Sequence, residues 1–192
     1  MAKTDEIIEA ASKLFSQKGY RATNISEIGN SVGLHKTTLF HYVKSKEDIL
    51  MSVIQIPLDE YICCLDKTVE YKGLSPEEKL RLALEKQISV ICKYKDYLNV
   101  SMSDMRSLSE KNLKQLSIKR NRYHKKLVDL ILEIQSDNKS NLFKGLDAKI
   151  VSFGIFGMCN WITQWYSENG SLTPKDISEI YYNMITGNKN RI

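Results

Sequence analysis

Five residues between His35 and Tyr42 can bind a polar surface: His35, Lys36, Thr37, Thr38 and His41, in the run HKTTLFHY. All five are hydrogen-bond donors or acceptors. Leu39 and Val43 are the apolar anchors among them. The run is long enough for about two helical turns, and a helix that short buries little. A short helix with a polar outward side fits the second helix of a helix-turn-helix, which enters the major groove of DNA.

The preceding residues supply the rest of that motif. Ile25, Ile28 and Val32 recur at the spacing of one buried helix face. Asn24 followed three residues later by Glu27 is a helix start, with Thr23 as a second candidate cap. Gly33 can take a positive φ and let the chain reverse tightly. Upstream, Thr4 can cap a bracing helix over 5–18, with Ile7, Ala10, Ala11, Leu14 and Phe15 as its stripe and Gly19 at its end. Lys3 could reach a phosphate or lie at a solvated end. Downstream, Ser45 with Asp48 caps a helix that should run toward Val69 and kink at Pro57.

No other residue set offers chemistry. The three histidines, His35, His41 and His124, make no ligand cluster, and Cys63, Cys64, Cys92 and Cys159 show no CxxC or Cys/His spacing. The cysteines read as reduced thiols, with a redox switch as the alternative. No Ser/His/Asp or nucleotide signature is present, so no catalytic residue, metal or cofactor is expected. An enzyme remains a remote alternative, because a fold does not fix function.

The chain has 192 residues and 42% hydrophobic content, enough for a proper core of one or two domains. Only 3 Pro and 9 Gly occur, and no run alternates like a long strand, so an all-α protein of about nine helices is expected. Ser75-Pro76 and Thr173-Pro174 are further helix starts, opening helices to Tyr94 and to Ile185. A long helix is expected over 110–134 and another over 147–166. No leader is visible at Met1, and the longest apolar run, Ile150 to Ile162, is shorter than a membrane span. A soluble, cytoplasmic protein is expected.

The net charge of +5 is unevenly placed. Residues 1–50 hold seven Lys/Arg against six Asp/Glu, whereas residues 104–126 hold eight against two. The basic excess therefore lies outside the expected DNA reader. On a wheel of 110–134, Leu113, Leu116, Tyr123, Leu127, Leu130, Ile131 and Ile134 form one face, and most of the basic residues form a solvated one. Arg120 falls within the apolar face, where a charge needs a carboxylate, a carbonyl or an anionic ligand.

Gly19, Tyr20, Thr23, Ile28, Gly29, Val32 and Gly33, then Leu39 to Val43 and Ser45 to Leu50, together resemble the TetR family of ligand-responsive transcriptional repressors. The resemblance covers about the first 50 residues without gaps. It implies a three-helix DNA-binding domain over 1–47 and a helical effector-binding and dimerisation domain over 48–192. It places Lys36, Thr37 and Thr38 at base edges, where Lys can pair with guanine and a Thr methyl can meet thymine. His41 and Tyr42 would lie against the backbone, and Lys46 and Thr23 would meet phosphates. Phe40 departs from the usual Tyr and loses a phosphate-bonding hydroxyl.

Asn160, Trp161, Trp165, Tyr166 and Gly170, with the Arg120-to-Tyr123 spacing, resemble a TetR subgroup that senses acyl-CoA thioesters. The implied partners are a double-stranded palindromic operator, a second copy of the chain and an acyl-CoA or other hydrophobic effector. The implied effector residues are Met102, Met105, Arg106, Arg120, Tyr123 and Trp161, although Trp161 and Trp165 could instead pack the core or a dimer seam. The resemblance also assigns 147–166 and 174–186 to a four-helix dimer interface, where Gly154 and Gly157 would allow close approach. Activation in place of repression, or response to a drug, stays open.

Overall fold

The computed structural model describes residues 2–187. Among them there are ten α-helical segments, a 3-10 turn and no strand. They are α1 (Lys3–Lys18), α2 (Ile25–Ser31), α3 (Lys36–Leu39), α4 (Lys46–Val69), α5 (Pro76–Lys93), α6 (Lys95–Asp104), α7 (Glu110–Ser136), α8 (Ala148–Asn160), α9 (Ile162–Trp165) and α10 (Pro174–Thr186). Only Trp161 separates α8 from α9. Counted as one broken rod, they bring the total to the nine expected.

The chain divides into two compact units, residues 1–58 with 94–118, and 59–93 with 119–192. In the first, α1 packs on α2 and α6, and α2 packs on α3. Ile7, Ala11, Phe15, Ile28, Leu39, Ile49, Leu50 and Val100 are buried there. In the second, α5 packs on α8, α9 and α10. Leu80, Leu84, Ile88 and Ile91 of α5 are buried at the spacing of one helix face. Arg81 clamps Glu179 of α10 at 2.7 and 2.6 Å and lies over the Tyr182 ring.

Most helix starts are where the capping pairs put them. The Asn24 N–H donates to Glu27 at 2.7 Å, Asp48 N–H to the Ser45 hydroxyl at 3.0 Å, and Asp176 N–H to the Thr173 hydroxyl at 3.2 Å. Each pair satisfies donors that a helix cannot satisfy itself. The first helix differs from expectation: it starts at Lys3, not after Thr4, because Asp5 accepts the Ala2 N–H at 3.2 Å and does the capping. Lys3 is partly exposed but not free, since its ammonium donates to the Val32 carbonyl at 3.0 Å and pairs with Glu6.

Two expected helices are shorter or broken. Regular α-helix over 35–42 is confined to Lys36–Leu39, and bonds of the 3-10 type, His41 N–H to Thr38 and Tyr42 N–H to Leu39, carry the turn onward. The helix over 147–166 breaks at Trp161, where the Thr163 hydroxyl takes the Asn160 carbonyl and Gln164 N–H bonds Trp161. Pro57 lies inside the assigned span of α4, which is continuous from Lys46 to Val69.

The wheel of α7 is right for its core: Leu116, Tyr123, Leu127, Leu130, Ile131 and Ile134 are buried. Its basic face is not a plain solvated one. Lys119 pairs with Asp59 at 2.6 Å, Arg122 and Lys126 with Asp66, and Lys125 with Asp129. The opposing carboxylates of α4 were invisible to a wheel drawn for one helix. Arg120, expected in the apolar face, is exposed.

Candidate functional site

The reader is built around one close approach. The Gly29 carbonyl accepts the N–H groups of Val32 at 3.0 Å and Leu34 at 2.9 Å. A β-carbon at Gly29 would stand 2.7 Å from the Leu34 carbonyl oxygen, so α2 can meet the chain entering α3 only through glycine. Gly33 completes the reversal at φ +70°. Leu39 is fully buried and Val43 nearly so, which fixes α3 by its apolar side.

The opposite side is open. His35, Lys36, Thr37, Phe40, His41 and Tyr42 are exposed and Thr38 is half-buried. None of the Lys36, Thr37, Thr38, His41 or Tyr42 side chains is tied to another group among the described residues. Phe40 and Tyr42 are each 44% exposed, so neither is a core residue. Thr23 is different: it is completely buried, and its hydroxyl donates to the Gly19 carbonyl at 2.9 Å. That places it as a brace between α1 and α2.

Lys46 opens α4 with its ammonium 4.3 Å from the Tyr20 ring centre. Burial lowers its pKa, and Asp104 and Glu27 oppose that shift. Beside it is a contact the sequence did not announce. The Glu47 carboxylate accepts the Ser109 N–H at 2.8 Å and the Asn112 amide at 2.7 Å, capping α7 from the first turn of α4. These bonds with Ser109 and Asn112 hold the carboxylate below the usual range. The Tyr20 N–H likewise donates to Asp104 at 3.2 Å. No local pattern signals a pairing across more than sixty residues.

The six expected effector residues are divided between the two units. Met102, Met105 and Arg106 belong to the first unit, and Arg120, Tyr123 and Trp161 to the second. Met102, Arg106, Arg120 and Trp161 are exposed, Met105 is half-buried and Tyr123 is buried. Around Tyr123 the second unit holds a neutral polar cluster. The Tyr123 hydroxyl donates to Gln87 Oε1 at 2.8 Å, and its ring lies 5.9 Å from Tyr61 and 5.8 Å from Phe156. Burial pushes both phenols up and the Cys159 thiol to about 12, so all three are neutral in ordinary buffers. Next to it, His124 stacks edge-on at 4.9 Å from both Phe153 and Phe156. Burial, then the Arg120 charge, lowers its pKa.

Sequence reading passed over Tyr61 and Gln87. Gln87 carried a signal: it follows Leu80 and Leu84 at the seven- and three-residue spacings of their own apolar face. A polar residue there is a buried one.

α8 presents an apolar stripe to the outside. Ile150 and Phe153 are 66% and 46% exposed, and Trp161, just past its end, is 64% exposed. On the same helix a β-carbon added at Gly154 or Gly157 would meet nothing within 4 Å. No group of three or more His, Cys, Asp or Glu that could hold a metal occurs among the described residues. No described helix is long and apolar enough to cross a membrane. Cys63 is exposed, Cys64 half-buried, Cys92 and Cys159 buried, and none is in a disulfide.

Comparison with known proteins agrees with this layout. Residues 7–53 match the family described as "Bacterial regulatory proteins, tetR family", and residues 73–188 match "Tetracyclin repressor-like, C-terminal domain". The chain is 27% identical over 163 residues to the fatty acid metabolism regulator protein of Bacillus subtilis (strain 168), covering 83% of this chain and 81% of that one. It is 24% identical over 188 residues to the HTH-type transcriptional repressor KstR2 of Mycolicibacterium smegmatis, covering 97% and 90%. Its fold superimposes on the crystal structure of AibR in complex with isovaleryl coenzyme A and operator DNA, with a TM-score of 0.82 at 20% identity over 96% and 98% of the two chains. Relatives and families alike are transcriptional regulators. With both halves matched, and the helix-turn-helix formed over Gly29 and Gly33, this chain belongs to the TetR family of transcriptional regulators.

Proposed function

We propose that the protein is a homodimeric repressor that binds a palindromic operator through residues 1–47 and releases it when residues 48–192 take up an acyl-CoA. The observation that carries the DNA part is the open face of α3, where exposed donors and acceptors stand on a helix pinned by Leu39. Lys36, Thr37 and Thr38 read base edges, and His41, Tyr42 and Lys46 hold the sugar-phosphate backbone. The buried Thr23 serves that face by bracing α2, leaving its N–H groups to the phosphate. The uncovered stripe of α8 supplies the dimer seam, together with α10, where Met184 is 65% exposed.

Release requires that the ligand favour a state with mis-spaced reading helices, since binding shifts an equilibrium only by differential affinity. α4 is the element suited to this: it carries Lys46 and Glu47 in its first turn and Tyr61 further along. The acyl-CoA assignment is supported by the fatty-acid regulator relative and by the isovaleryl coenzyme A bound in AibR. Arg120 and Trp161, in the same unit as the buried cluster, are its further candidate contacts. The carboxylate pairing of Lys119, Arg122, Lys125 and Lys126 favours a second reading, an uncharged hydrophobic effector such as a drug, because it leaves fewer cations for phosphates.

Selection tests the DNA part. Purified protein mixed with sheared genomic DNA at moderate salt should retain a small set of fragments sharing one palindrome. Retention of fragments at random would refute it. On the recovered site, Lys36→Ala is expected to relax base preference at one position, by about 1–3 kcal/mol of discrimination. Lys46→Ala is expected to weaken all DNA alike and to lower the salt slope by about one unit. Titrations at several salt concentrations with matched and mismatched duplexes check both.

A further inference from the structure

The interior of the second unit leaves donors unused. Tyr61 is 3% exposed and Gln87 5%, and neither the Tyr61 hydroxyl nor the Gln87 amide nitrogen has a hydrogen-bond partner. Tyr123 touches both residues, by ring contact with Tyr61 and by donating its hydroxyl to Gln87 Oε1. That bond consumes the acceptor side of the Gln87 amide and turns its N–H groups away from Tyr123. Two donor groups on two different helices, α4 and α5, are thus held around one phenol. Buried polar groups are seldom left in this state, and a cluster of them calls for a partner.

A partner for the donors of Tyr61 and Gln87 must be an acceptor, because each has an N–H or O–H to give. It must also be uncharged. Tyr123, whose ring lies against Tyr61, is kept neutral by burial, as is the buried Cys159 thiol. Among the described residues no Asp, Glu, Lys, Arg or His is fully buried, so the cluster offers an ion no buried counter-charge. It must be attached to something apolar. Gln87 is flanked on α5 by the buried Leu84 and Ile88, Tyr123 is followed one turn on by the buried Leu127, and the Phe156 ring is 5.8 Å from Tyr123. A carbonyl oxygen at the head of a hydrocarbon chain has all three properties.

We propose that the Tyr61 hydroxyl and the Gln87 amide N–H groups, oriented by Tyr123, seat the thioester carbonyl oxygen of the acyl-CoA effector. This rests on the acyl-CoA reading above and adds which part of the molecule is recognised inside the protein and by which residues. The carbonyl is what distinguishes a thioester from any other alkyl derivative of coenzyme A, so this seat makes the protein sense the activated acyl group and not merely a long chain. It also puts the ligand on α4 through Tyr61, the helix whose first turn holds Lys46 and Glu47.

The test compares butyryl-, octanoyl- and hexadecanoyl-CoA with their S-alkyl thioether counterparts, in which a CH2 replaces the carbonyl. Dissociation constants are measured by calorimetry for the wild-type protein, Tyr61→Phe and Gln87→Met. For the chain length that binds best, the wild type should prefer thioester over thioether by about tenfold, the value of one well-made hydrogen bond from a buried donor. In Tyr61→Phe that preference should shrink toward unity while the thioether binds as before. Because Tyr61→Phe removes an unpartnered hydroxyl, the ligand-free variant should melt no lower than wild type. A merely structural tyrosine would instead lose stability and bind both ligands worse. Equal binding of thioester and thioether by the wild type overturns the seat and leaves the acyl-CoA reading standing. So does a preference that survives both substitutions. Binding of neither series at any chain length overturns both.

Discussion

Gly29→Ala is expected to abolish operator binding and to destabilise the protein by about 1–3 kcal/mol, the usual range for forcing a methyl into a filled site. The new β-carbon would lie 2.7 Å from the Leu34 carbonyl oxygen and 3.5 Å from Leu39 Cδ1. The first neighbour is backbone and has no rotamer to escape into. Leu34 leads directly into α3, and its own N–H is bonded to the Gly29 carbonyl. The relief available is to move α3 away from α2, which takes Lys36, Thr37 and Thr38 out of register with the groove. Gly33→Ala is the control. Gly33 is left-handed at φ +70° but has nothing within 4 Å of its would-be β-carbon. It should cost about 1 kcal/mol of backbone strain with α3 still in place. Thermal melts and anisotropy titrations with the operator should therefore rank wild type, Gly33→Ala and Gly29→Ala in that order for DNA affinity. A Gly29→Ala protein that binds like wild type would refute the role given to the close approach.

Gly157→Leu is expected to separate the dimer from the fold. Within one protomer a β-carbon there meets nothing within 4 Å, and leucine gains about 1 kcal/mol of helix propensity over glycine. Across a two-fold seam the same side chain would hold two α8 helices apart and strip Ile150, Phe153 and Trp161 of their cover. The variant should melt at or above the wild-type protomer's temperature yet sediment at half the dimer mass. Operator affinity should fall by about a hundredfold or more, because one reader no longer delivers the second at high local concentration. A Gly157→Leu protein that stays dimeric would place the seam elsewhere.

Much of this was legible in the sequence because it is local. The Asn24–Glu27, Ser45–Asp48 and Thr173–Asp176 pairs mark helix starts that the structure reproduces, since a cap acts across three residues. The short polar run at His35–Tyr42 could be read as a groove helix because only Leu39 and the adjoining Val43 anchor it. What was not legible involves partners far along the chain. The basic face of α7 reads as solvated until Asp59 and Asp66 of α4 are set against it. Glu47 reads as a first-turn acid until it is found capping Ser109 and Asn112. Arg120 shows the limit of a wheel: periodicity gives its direction, and only the neighbouring helices decide whether that direction is covered. Gln87, by contrast, could have been found, since it breaks an apolar face of α5 that had already been traced.

The most direct measurement is anisotropy of a labelled operator duplex, recovered by selection, titrated with protein at about 0.15 M salt with and without a binding acyl-CoA. The prediction is saturation at two protomers per duplex, an affinity about a thousandfold or more above that for a scrambled duplex, and release on adding the thioester. Equal affinity for operator and scrambled DNA, or a complex indifferent to every acyl-CoA that binds the free protein, would contradict it.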